Sequence, residues 1–406
     1  MGFKYSIRRS RPAEIYRYSL FGNSLRFDYT GFKPYRLNEA LRPGPNYSVG
    51  EPISLKTGVK NYHRKIFGKE ESRVRNLLLT IVAYESASGI RPDAAVPGGE
   101  VEIYCHNGLH SDLVLGTSDV YHVILHKNKL IFANTDDRSG NDPLFAYIGI
   151  KFETILCNEP SPVDGSHNKL LLQGRYGRWG FKSVVEIDSY RASAAKTLAQ
   201  MGPAERYRNY CEIKLCFSPS RRLGELLLKT KSKRRFLLVL KGAVRNFAPR
   251  AEKWLFQSYF GRQDKLVIGV RNSKFELICN EEIDVVHDFL PFVKDVYPDI
   301  HDRFLHSIDV LDEAYAHILH QVRALQQSDT DVFELRCDTR AVRVLADAPD
   351  HHIFRKILVP EYLAWVDRGE DTLAHSDWVA PEAYAAHKDP PGHDLHEQLA
   401  SKLHIV

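Results

Sequence analysis

The spacing of apolar residues predicts two long amphipathic helices. Over residues 71–88, apolar side chains recur at steps of three and four, which places them on one stripe of a helix. The same pattern returns over residues 307–326, with Ile308, Leu311, Tyr315, Ile318, Val322 and Leu325. We expect both helices to pack their apolar faces against the core.

Between about residues 101 and 280, the apolar positions fall in short runs separated by turn residues, a texture typical of β-strands. We expect strands at VEIYC, VYHVIL, KLIF, AYIGIKFE, SVVEID, YCEIKLCF, RFLLVLKG, KLVIGVR and FELIC. Two more short strands, VFELRC and AVRVLA, should follow the second helix. The pattern predicts one large mixed α/β (α+β) domain over residues 1–349 and a peripheral tail over residues 350–406.

The composition is that of a folded globular protein. Of the 406 residues, 43% are hydrophobic and 26% are charged, which argues against disorder or a fibrous repeat. The net charge of +5 permits a nucleic-acid partner where the positive charge is clustered. Residues 221–253 form such a cluster, and we expect its core, residues 229–235, to contact RNA phosphates. A solvated loop and a nuclear-localisation signal are the alternatives.

The cysteines and the apolar runs bear on location. Six cysteines without a CxxC pair indicate reduced thiols of an intracellular protein. No run approaches 18 apolar residues, so we expect no membrane-spanning segment, and the N-terminal residues lack the core of a signal peptide. We therefore expect a cytoplasmic protein, with the nucleus as the alternative.

Acidic residues recur on three of the strand-like runs. Glu153 ends one run, Glu186 and Asp188 share a face of the next, and Glu212 shares a face with Lys214. Acids are depleted in strands, and four of them on neighbouring strands would repel one another unless a cation lay among them. Carboxylate oxygens suit Mg²⁺ or Mn²⁺. The set therefore predicts a divalent-metal site, with solvated strand faces as the alternative.

Such a site suits phosphodiester hydrolysis. Asp188, 23 intervening residues and then Glu212-x-Lys214 is also the layout of restriction-type nuclease cores. A bound divalent cation neutralises charge at the phosphate and produces hydroxide near neutral pH. Lys214 would stabilise the developing charge, and Glu186 would orient or deprotonate the attacking water.

Taken together and in order, these motifs resemble those of the DXO family of RNA 5′-end decapping exoribonucleases. The segments 149–153, 186–188 and 212–214 look like the three acidic motifs of the family. Lys253-Trp-Leu-Phe-Gln257 resembles its Trp-x-x-Gln helix, and residues 11–20 resemble its opening segment. The similarity extends from about residue 10 to residue 345.

The resemblance implies two mixed β-sheets flanked by helices, with the active site in a deep cleft. It implies a divalent metal, Mg²⁺ or Mn²⁺, whose ligands are Glu153, Asp188, Glu212 and the backbone carbonyl of Ile213, with Glu186 acting through water. It also implies that Lys214 and Gln257 contact the phosphates of the substrate, so that Glu186, Lys214 and Gln257 form the catalytic set.

The implied function is metal-dependent removal of incomplete or unusual 5′ caps from RNA, with release of the cap dinucleotide and 5′–3′ exoribonuclease activity. We expect capped or monophosphorylated RNA 5′ ends as the substrate, and a monomer. His122 stands where the first motif of the family carries an arginine, and this loss disfavours the handling of a 5′-triphosphate. The chain is therefore most similar to the small cytoplasmic fungal branch.

Two alternatives stay open. One is a nuclear partner and stimulator of a large 5′–3′ exoribonuclease, with RNA 5′ pyrophosphohydrolase activity. The other is a protein that binds RNA ends or an exoribonuclease and keeps only a residual site. The four acids favour an enzyme, because a binding protein has no need of mutually repelling carboxylates.

Overall fold

The computed structural model describes residues 4–21, 24–29, 31–48, 52–61, 71–91, 101–117, 119–134, 143–159, 167–192, 196–220, 222–337, 342–346, 351–373 and 377–379. Its strands are β1 (Ala13–Phe21), β2 (Ser24–Arg26), β3 (Pro34–Tyr35), β4 (Ile53–Ser54), β5 (Glu102–His106), β6 (Val120–His126), β7 (Lys129–Asn134), β8 (His167–Tyr176), β9 (Trp179–Glu186), β10 (Ser189–Arg191), β11 (Tyr210–Phe217), β12 (Lys265–Arg271), β13 (Glu276–Asp284), β14 (Phe333–Cys337), β15 (Val342–Ala346) and β16 (Asp377–Val379). Its helices are α1 (Glu71–Ala87), α2 (Asn107–Leu115), α3 (Pro143–Leu156), α4 (Pro203–Asn209), α5 (Leu223–Leu228), α6 (Lys233–Ala243), α7 (Phe247–Phe260), α8 (Leu290–Val296), α9 (Pro298–Leu325), α10 (His351–Ile357) and α11 (Pro360–Arg368).

The strands form two sheets. The ten-stranded sheet has the order β15-β14-β6-β7-β5-β9-β8-β1-β2-β16, and the six-stranded sheet has the order β3-β10-β11-β12-β13-β4. Both are mixed, because β5 runs parallel to β7 and β9, and β11 runs parallel to β12, while most other pairs are antiparallel. The predicted mixed α+β fold, with two mixed sheets flanked by helices, is confirmed.

One large core joins the sheets. Phe181 of the ten-stranded sheet and Ile268 of the six-stranded sheet are buried in the same apolar cluster as α2, α7 and the inner face of α9. A second cluster lies on the other side of the ten-stranded sheet, beneath α1. The two sheets therefore pack against a shared core, so that residues from both sheets can lie close to one another.

The two helices predicted from apolar spacing are both present. The first is α1, and the second, α9, begins at Pro298, before the predicted residue 307. Proline is favourable in the first turn of a helix, where its missing amide has no partner to lose. The strands expected at VFELRC and AVRVLA are β14 and β15.

Two of the predicted strands are wrong, because AYIGIKFE lies in α3 and RFLLVLKG lies in α6. Each run is short enough to fit the pattern of a strand. Over the whole of α3, however, the buried residues Tyr147, Ile148 and Phe152 recur with the period of a helix. At the start of α6, Ser232 accepts a hydrogen bond from the amide of Arg235 at 3.2 Å, which caps the helix.

The segment predicted to be a peripheral tail begins with two packed helices. Phe354, Ile357 and Tyr362 of α10 and α11 are buried in the cluster beneath α1. The indole of Trp365 donates a hydrogen bond to Glu85 of α1 at 2.9 Å. The division of the chain at residue 349 stays a prediction, but residues 351–373 pack on the core. Residues 380–406 lie outside the described residues.

A buried network of charges lies under α1. The ammonium group of Lys182 on β9 contacts Glu85 at 2.9 Å and Glu102 of β5 at 3.1 Å. Lys129 of β7 contacts Glu102 at 3.0 Å. Burial of a charge is costly unless it is paired, and here each charge has an opposite partner.

In the described residues, no helix has the length and apolar character needed to cross a membrane.

Candidate active site

The chain crosses from one sheet to the other between Glu186, the last residue of β9, and Ser189, the first residue of β10. Asp188 lies in this crossing, and its Oδ2 accepts a hydrogen bond from the backbone amide of Ile213 at 2.7 Å. The amide and the carbonyl of one residue point to the same side of a strand. The Ile213 carbonyl therefore faces the same edge of β11 as Asp188.

This edge of β11 has little strand pairing. Between β10 and β11, Ser189 pairs with Cys211 and Tyr190 pairs with Tyr210. Ile213 lies beyond the last of them, so its amide is satisfied by a carboxylate instead of a strand partner. The short β10 thus leaves room at the edge where the predicted metal ligands meet.

Glu212 and Lys214 project from the same face of β11, as predicted from their spacing. The ammonium group of Lys214 donates to Glu212 Oε1, and the two side chains are only 24% and 12% exposed. Burial alone would lower the pKa of Lys214, but the surrounding carboxylates, led by Glu212 and Asp188, raise it above its usual value. Lys214 therefore stays charged in this site.

Glu153 reaches the site from a helix, which corrects its prediction as a strand residue. The preceding residue, Phe152, lies against Gly269 of β12, where a Cβ atom would come within 2.4 Å of its ring. The hydroxyl of Tyr147 donates to the carbonyl of Thr57 at 2.5 Å and fixes the same helix, α3. The lack of a side chain at Gly269 lets α3 lie close to the sheet and present Glu153.

The carboxylates raise one another's pKa. Burial, together with the charges of Glu186 and Glu212, raises the pKa of Glu153 to about 8. Burial likewise raises the pKa of Asp188, with Glu212 and Glu153 contributing. A nearby negative charge disfavours ionisation of a carboxyl group. Glu153 on α3 therefore lies within electrostatic reach of the other three predicted acids: Glu186 at the end of β9, Asp188 in the crossing segment and Glu212 on β11.

Glu186 has two partners that the sequence did not reveal. Lys169 of β8 lies 3.3 Å from its carboxylate, opposite it in the β8–β9 register. The buried side chain of Gln263 donates to its backbone carbonyl at 2.7 Å. No local pattern marks either residue, because both contacts depend on strand register and on a turn after α7. These partners fix the end of β9, and the carboxylate of Glu186 remains 44% exposed.

Gln257 lies in α7, so its predicted helical setting is correct. The turn after α7 approaches β9 closely, since a Cβ atom on Gly261 would lie 2.9 Å from Val185 Cγ2 and 3.4 Å from Asn107 Nδ2. Gln257 is one helical turn before Gly261, whose amide donates to the Gln257 carbonyl. Among the described residues, no hydrogen bond joins the Gln257 side chain to the acids, and its role in binding phosphate stays a prediction.

The acids fit a divalent cation by their chemistry. Carboxylate and carbonyl oxygens are the donors that Mg²⁺ and Mn²⁺ prefer. In the described part of the chain, no three His, Cys, Asp or Glu side chains already form a metal-binding group. One reason is visible, because Glu212 is paired with Lys214. Repulsion between Glu153, Asp188 and Glu212 is what a cation among them would relieve.

His122 does not reach this site. It lies on β6, which β7 and β5 separate from β9, a distance of about 14 Å at the usual strand spacing. Tyr121 and Val123 pack in the core shared by the sheets, so alternation turns His122 to the opposite face, toward α1. The structure therefore gives no support for His122 as the counterpart of a phosphate-binding arginine.

The basic segment is partly engaged with the protein itself. Lys233 pairs with Glu281, and Arg234 pairs with Asp295. Lys229, Lys231 and Arg235 are exposed. RNA contact by residues 229–235 stays a prediction.

Comparison with solved structures identifies the fold. The chain is similar to Rai1 of Scheffersomyces stipitis in complex with (3′-NADP)⁺ and calcium, with a TM-score of 0.60, 16% identity, and coverage of 89% of this chain and 97% of that chain. It is similar to Candida albicans Rai1 in complex with pU5-Mn²⁺, with a TM-score of 0.57, 14% identity, and coverage of 90% and 100%.

A third similar structure is S. pombe Rai1 in complex with 3′-FADP, with a TM-score of 0.55, 16% identity, and coverage of 84% and 98%. No family model and no curated protein matches the sequence. The chain therefore has the fold of the Rai1 structures, which is the fold of the DXO family, and the resemblance seen in the motifs is confirmed at the level of the fold.

Proposed function

We propose that this chain, with the fold of the DXO family, is a divalent-metal-dependent hydrolase that acts on RNA 5′ ends. The observation that carries the proposal is the convergence of Glu153, Asp188 and Glu212 beside Lys214, from a helix, a crossing segment and a strand. This convergence places an all-oxygen donor set next to a fixed positive charge. That combination suits attack on a phosphodiester.

Each residue has a role in this proposal. Glu153, Asp188, Glu212 and the Ile213 carbonyl would hold the cation, which supplies charge neutralisation and activation of water when bound. Lys214 remains protonated and stabilises charge that develops on the phosphate.

Two further residues act around that centre. The carboxylate of Glu186, which is 44% exposed, would orient or deprotonate the attacking water from the edge of the site. Gln257 would position a phosphate from α7.

The substrate we propose is RNA with an incomplete or unusual 5′ cap. Removal of the cap dinucleotide and 5′–3′ shortening of the RNA would use the same centre. Support comes from the solved Rai1 structures, which were obtained with pU5-Mn²⁺, 3′-FADP, or (3′-NADP)⁺ and calcium. We propose a cytoplasmic monomer, with Mg²⁺ or Mn²⁺ as the metal.

A second candidate is RNA 5′ pyrophosphohydrolase activity in a nuclear partner of a large 5′–3′ exoribonuclease. The argument against it relied on His122 as the replacement for an arginine. His122 lies on a strand away from the acids, so that argument no longer applies. Triphosphorylated RNA therefore belongs among the substrates to be tested.

The test uses purified protein with Mg²⁺ or Mn²⁺ and three RNAs: one labelled in an unmethylated cap, one with a 5′-monophosphate and a 3′ label, and one with a 5′-triphosphate. We expect release of a cap dinucleotide and 5′ shortening, and both should be lost in Glu212→Gln. Pyrophosphate release without shortening would favour the second candidate. Absence of activity on all three RNAs would contradict an enzyme.

A further inference from the structure

Three phenylalanine rings surround one guanidinium group at the far end of α3. The guanidinium of Arg271, the last residue of β12, lies 4.4 Å from the ring centroid of Phe275, 4.9 Å from that of Phe217 and 5.6 Å from that of Phe145. The rings of Phe145 and Phe275 are 6.2 Å apart. We refer to these four residues as the aromatic platform.

One ring of the platform is open to solvent, and the other three residues are half-buried. Phe145 is 54% exposed, the highest value for a large apolar side chain among the described residues. Exposure of a large aromatic ring costs hydrophobic free energy, and core packing does not explain it. The first turn of α3 thus holds an aromatic face outward.

The backbone at Phe275 is unusual for a bulky residue. Its φ angle is +64°, in the left-handed region that side chains of this size rarely adopt. The side chain of Asn272 holds the turn, because its oxygen accepts hydrogen bonds from the amides of Lys274 at 2.9 Å and Glu276 at 3.0 Å. Such strained positions persist only where the surrounding structure enforces them, and they are common at functional sites.

Cations surround the rings. The ammonium group of Lys56 lies 4.3 Å from the ring centroid of Phe275, and Lys274 is exposed in the same turn. Burial lowers the pKa of Arg271, and the charge of Arg250 adds to the effect. In the described residues, no carboxylate pairs with Arg271, Lys56 or Arg250. The carboxylate of the nearby Glu276 accepts a hydrogen bond from the side-chain amide of Asn272 at 2.6 Å.

Two elements connect the platform to the acids. Phe145 and Glu153 are eight residues apart on α3, which is about 12 Å along a helix. Phe217 follows Lys214 by three residues on β11, which is about 10 Å along a strand. Because Phe152 packs over Gly269 and Phe145 packs by Arg271, α3 runs antiparallel to β12 and β11.

We propose that the aromatic platform binds single-stranded RNA downstream of the 5′ end that occupies the acidic site. Aromatic rings stack on any base, and interspersed cations attract the phosphates, which is how proteins hold single strands without sequence preference. This inference rests on the proposed action on RNA 5′ ends and adds a surface for the rest of the strand. The lack of sequence preference suits an enzyme that must accept any RNA body.

The test measures binding in a chelator, so that no RNA is cleaved. Fluorescence anisotropy gives the Kd of the full chain for a long 5′-monophosphorylated single-stranded RNA and for a monophosphorylated dinucleotide. Phe145→Ala should weaken binding of the long RNA by about fivefold to a hundredfold, the range for loss of one stacked base. It should leave dinucleotide binding unchanged, and Phe145→Trp should retain wild-type affinity.

Two further variants complete the design. Val310→Ala removes an exposed apolar side chain from α9 and should change neither Kd. Lys56→Gln should weaken long-RNA binding and reduce its salt dependence by the equivalent of about one phosphate contact.

The failures can be told apart. If the wild type cleaves none of the three RNAs with Mg²⁺ or Mn²⁺ and binds neither RNA here, the proposed function falls together with the platform. If it cleaves RNA but binds the long RNA no more tightly than the dinucleotide, only the inference is overturned. If it binds both and Phe145→Ala binds long RNA as tightly as wild type, only the inference is overturned, and the rings are left as a surface for a protein partner.

Discussion

The carboxylate of Asp188 accepts a hydrogen bond from the amide of Ile213 at 2.7 Å, across the point where the chain leaves one sheet and joins the other. The bond ties the crossing segment to the edge of β11. It sets the position of Asp188 relative to Glu212, the neighbour of Ile213. Two of the proposed metal ligands are thus fixed by one contact.

Replacement of Asp188 should separate its structural contribution from its proposed chemistry. Asp188→Asn keeps an oxygen that can accept the Ile213 amide but removes the negative charge. We expect a folded protein whose hydrolytic rate falls by roughly a hundredfold or more, the scale on which loss of one preorganised electrostatic group acts. Single-turnover assays and thermal melts measure the two effects. Glu205→Gln, at a half-exposed carboxylate that pairs with Lys196, serves as the matched control, and equal rates for both variants would refute the assignment.

Addition of a divalent cation should stabilise the folded chain, because it relieves repulsion among Glu153, Asp188 and Glu212. At a hundredfold excess over its Kd, a ligand that binds only the folded state adds about 2.7 kcal/mol. We expect Mn²⁺ to raise the melting temperature of the wild type and to have little effect on Glu153→Gln or Glu212→Gln. Isothermal titration with Mn²⁺ gives the affinity directly. An equal shift in all three proteins would place the ion elsewhere.

A methyl group at Gly269 should move α3. In Gly269→Ala the new Cβ meets the ring of Phe152, so the helix must shift and Glu153 shifts with it. We expect a loss of about 1–3 kcal/mol of stability, typical of overpacking, together with a drop in hydrolysis. Urea denaturation and rate measurements follow these changes.

The additional change Phe152→Leu makes room and should restore part of both properties. Gly202→Ala is the control, since no atom lies within 4 Å of a Cβ at that position. An unaltered rate in Gly269→Ala would show that the position of Glu153 does not matter.

Stability should fall in acid because of His110. This histidine is fully buried, its Nδ1 lies 2.8 Å from the hydroxyl of Tyr315, and burial lowers its pKa to about 3. Between pH 6.5 and 3 the unfolded chain binds a proton that the folded chain does not, so the free energy of unfolding decreases as the pH falls.

The size of this effect is at most about 1.4 kcal/mol per pH unit. Urea melts at several pH values should show a smaller pH dependence in His110→Gln than in the wild type. The exposed His317→Gln should behave as the wild type does. If the free energy of unfolding depends on pH equally in all three proteins, His110 does not cause the loss of stability in acid.

The acidic site was predictable where its residues act through local spacing. Glu212 and Lys214 share a face because strands alternate, and β11 obeys that rule. Glu186 lies on the predicted strand, but β9 ends there, so Asp188, which was predicted to share its face, lies in the crossing segment. Glu153 was predicted on a strand and lies on a helix, because the eight residues AYIGIKFE fit a strand pattern that the full length of α3 does not.

The remaining features depend on contacts between distant segments. Lys169 meets Glu186 through the register of β8 and β9, and Gln263 reaches the same residue from a turn. The close approach at Gly269 depends on how α3 packs on the six-stranded sheet. The position of His122 was misjudged because alignment by motif does not show which face of a sheet a residue occupies.

Helix α3 carries Phe145 at its start and Glu153 two turns later. A helix of this length moves as a stiff rod, so a ligand that immobilises one end also restricts the other. If RNA rests on the platform and a cation is bound by the acids, each ligand should increase the affinity for the other by the same factor, as thermodynamic reciprocity requires. The chain would then bind a divalent cation most tightly when a strand of RNA is in place.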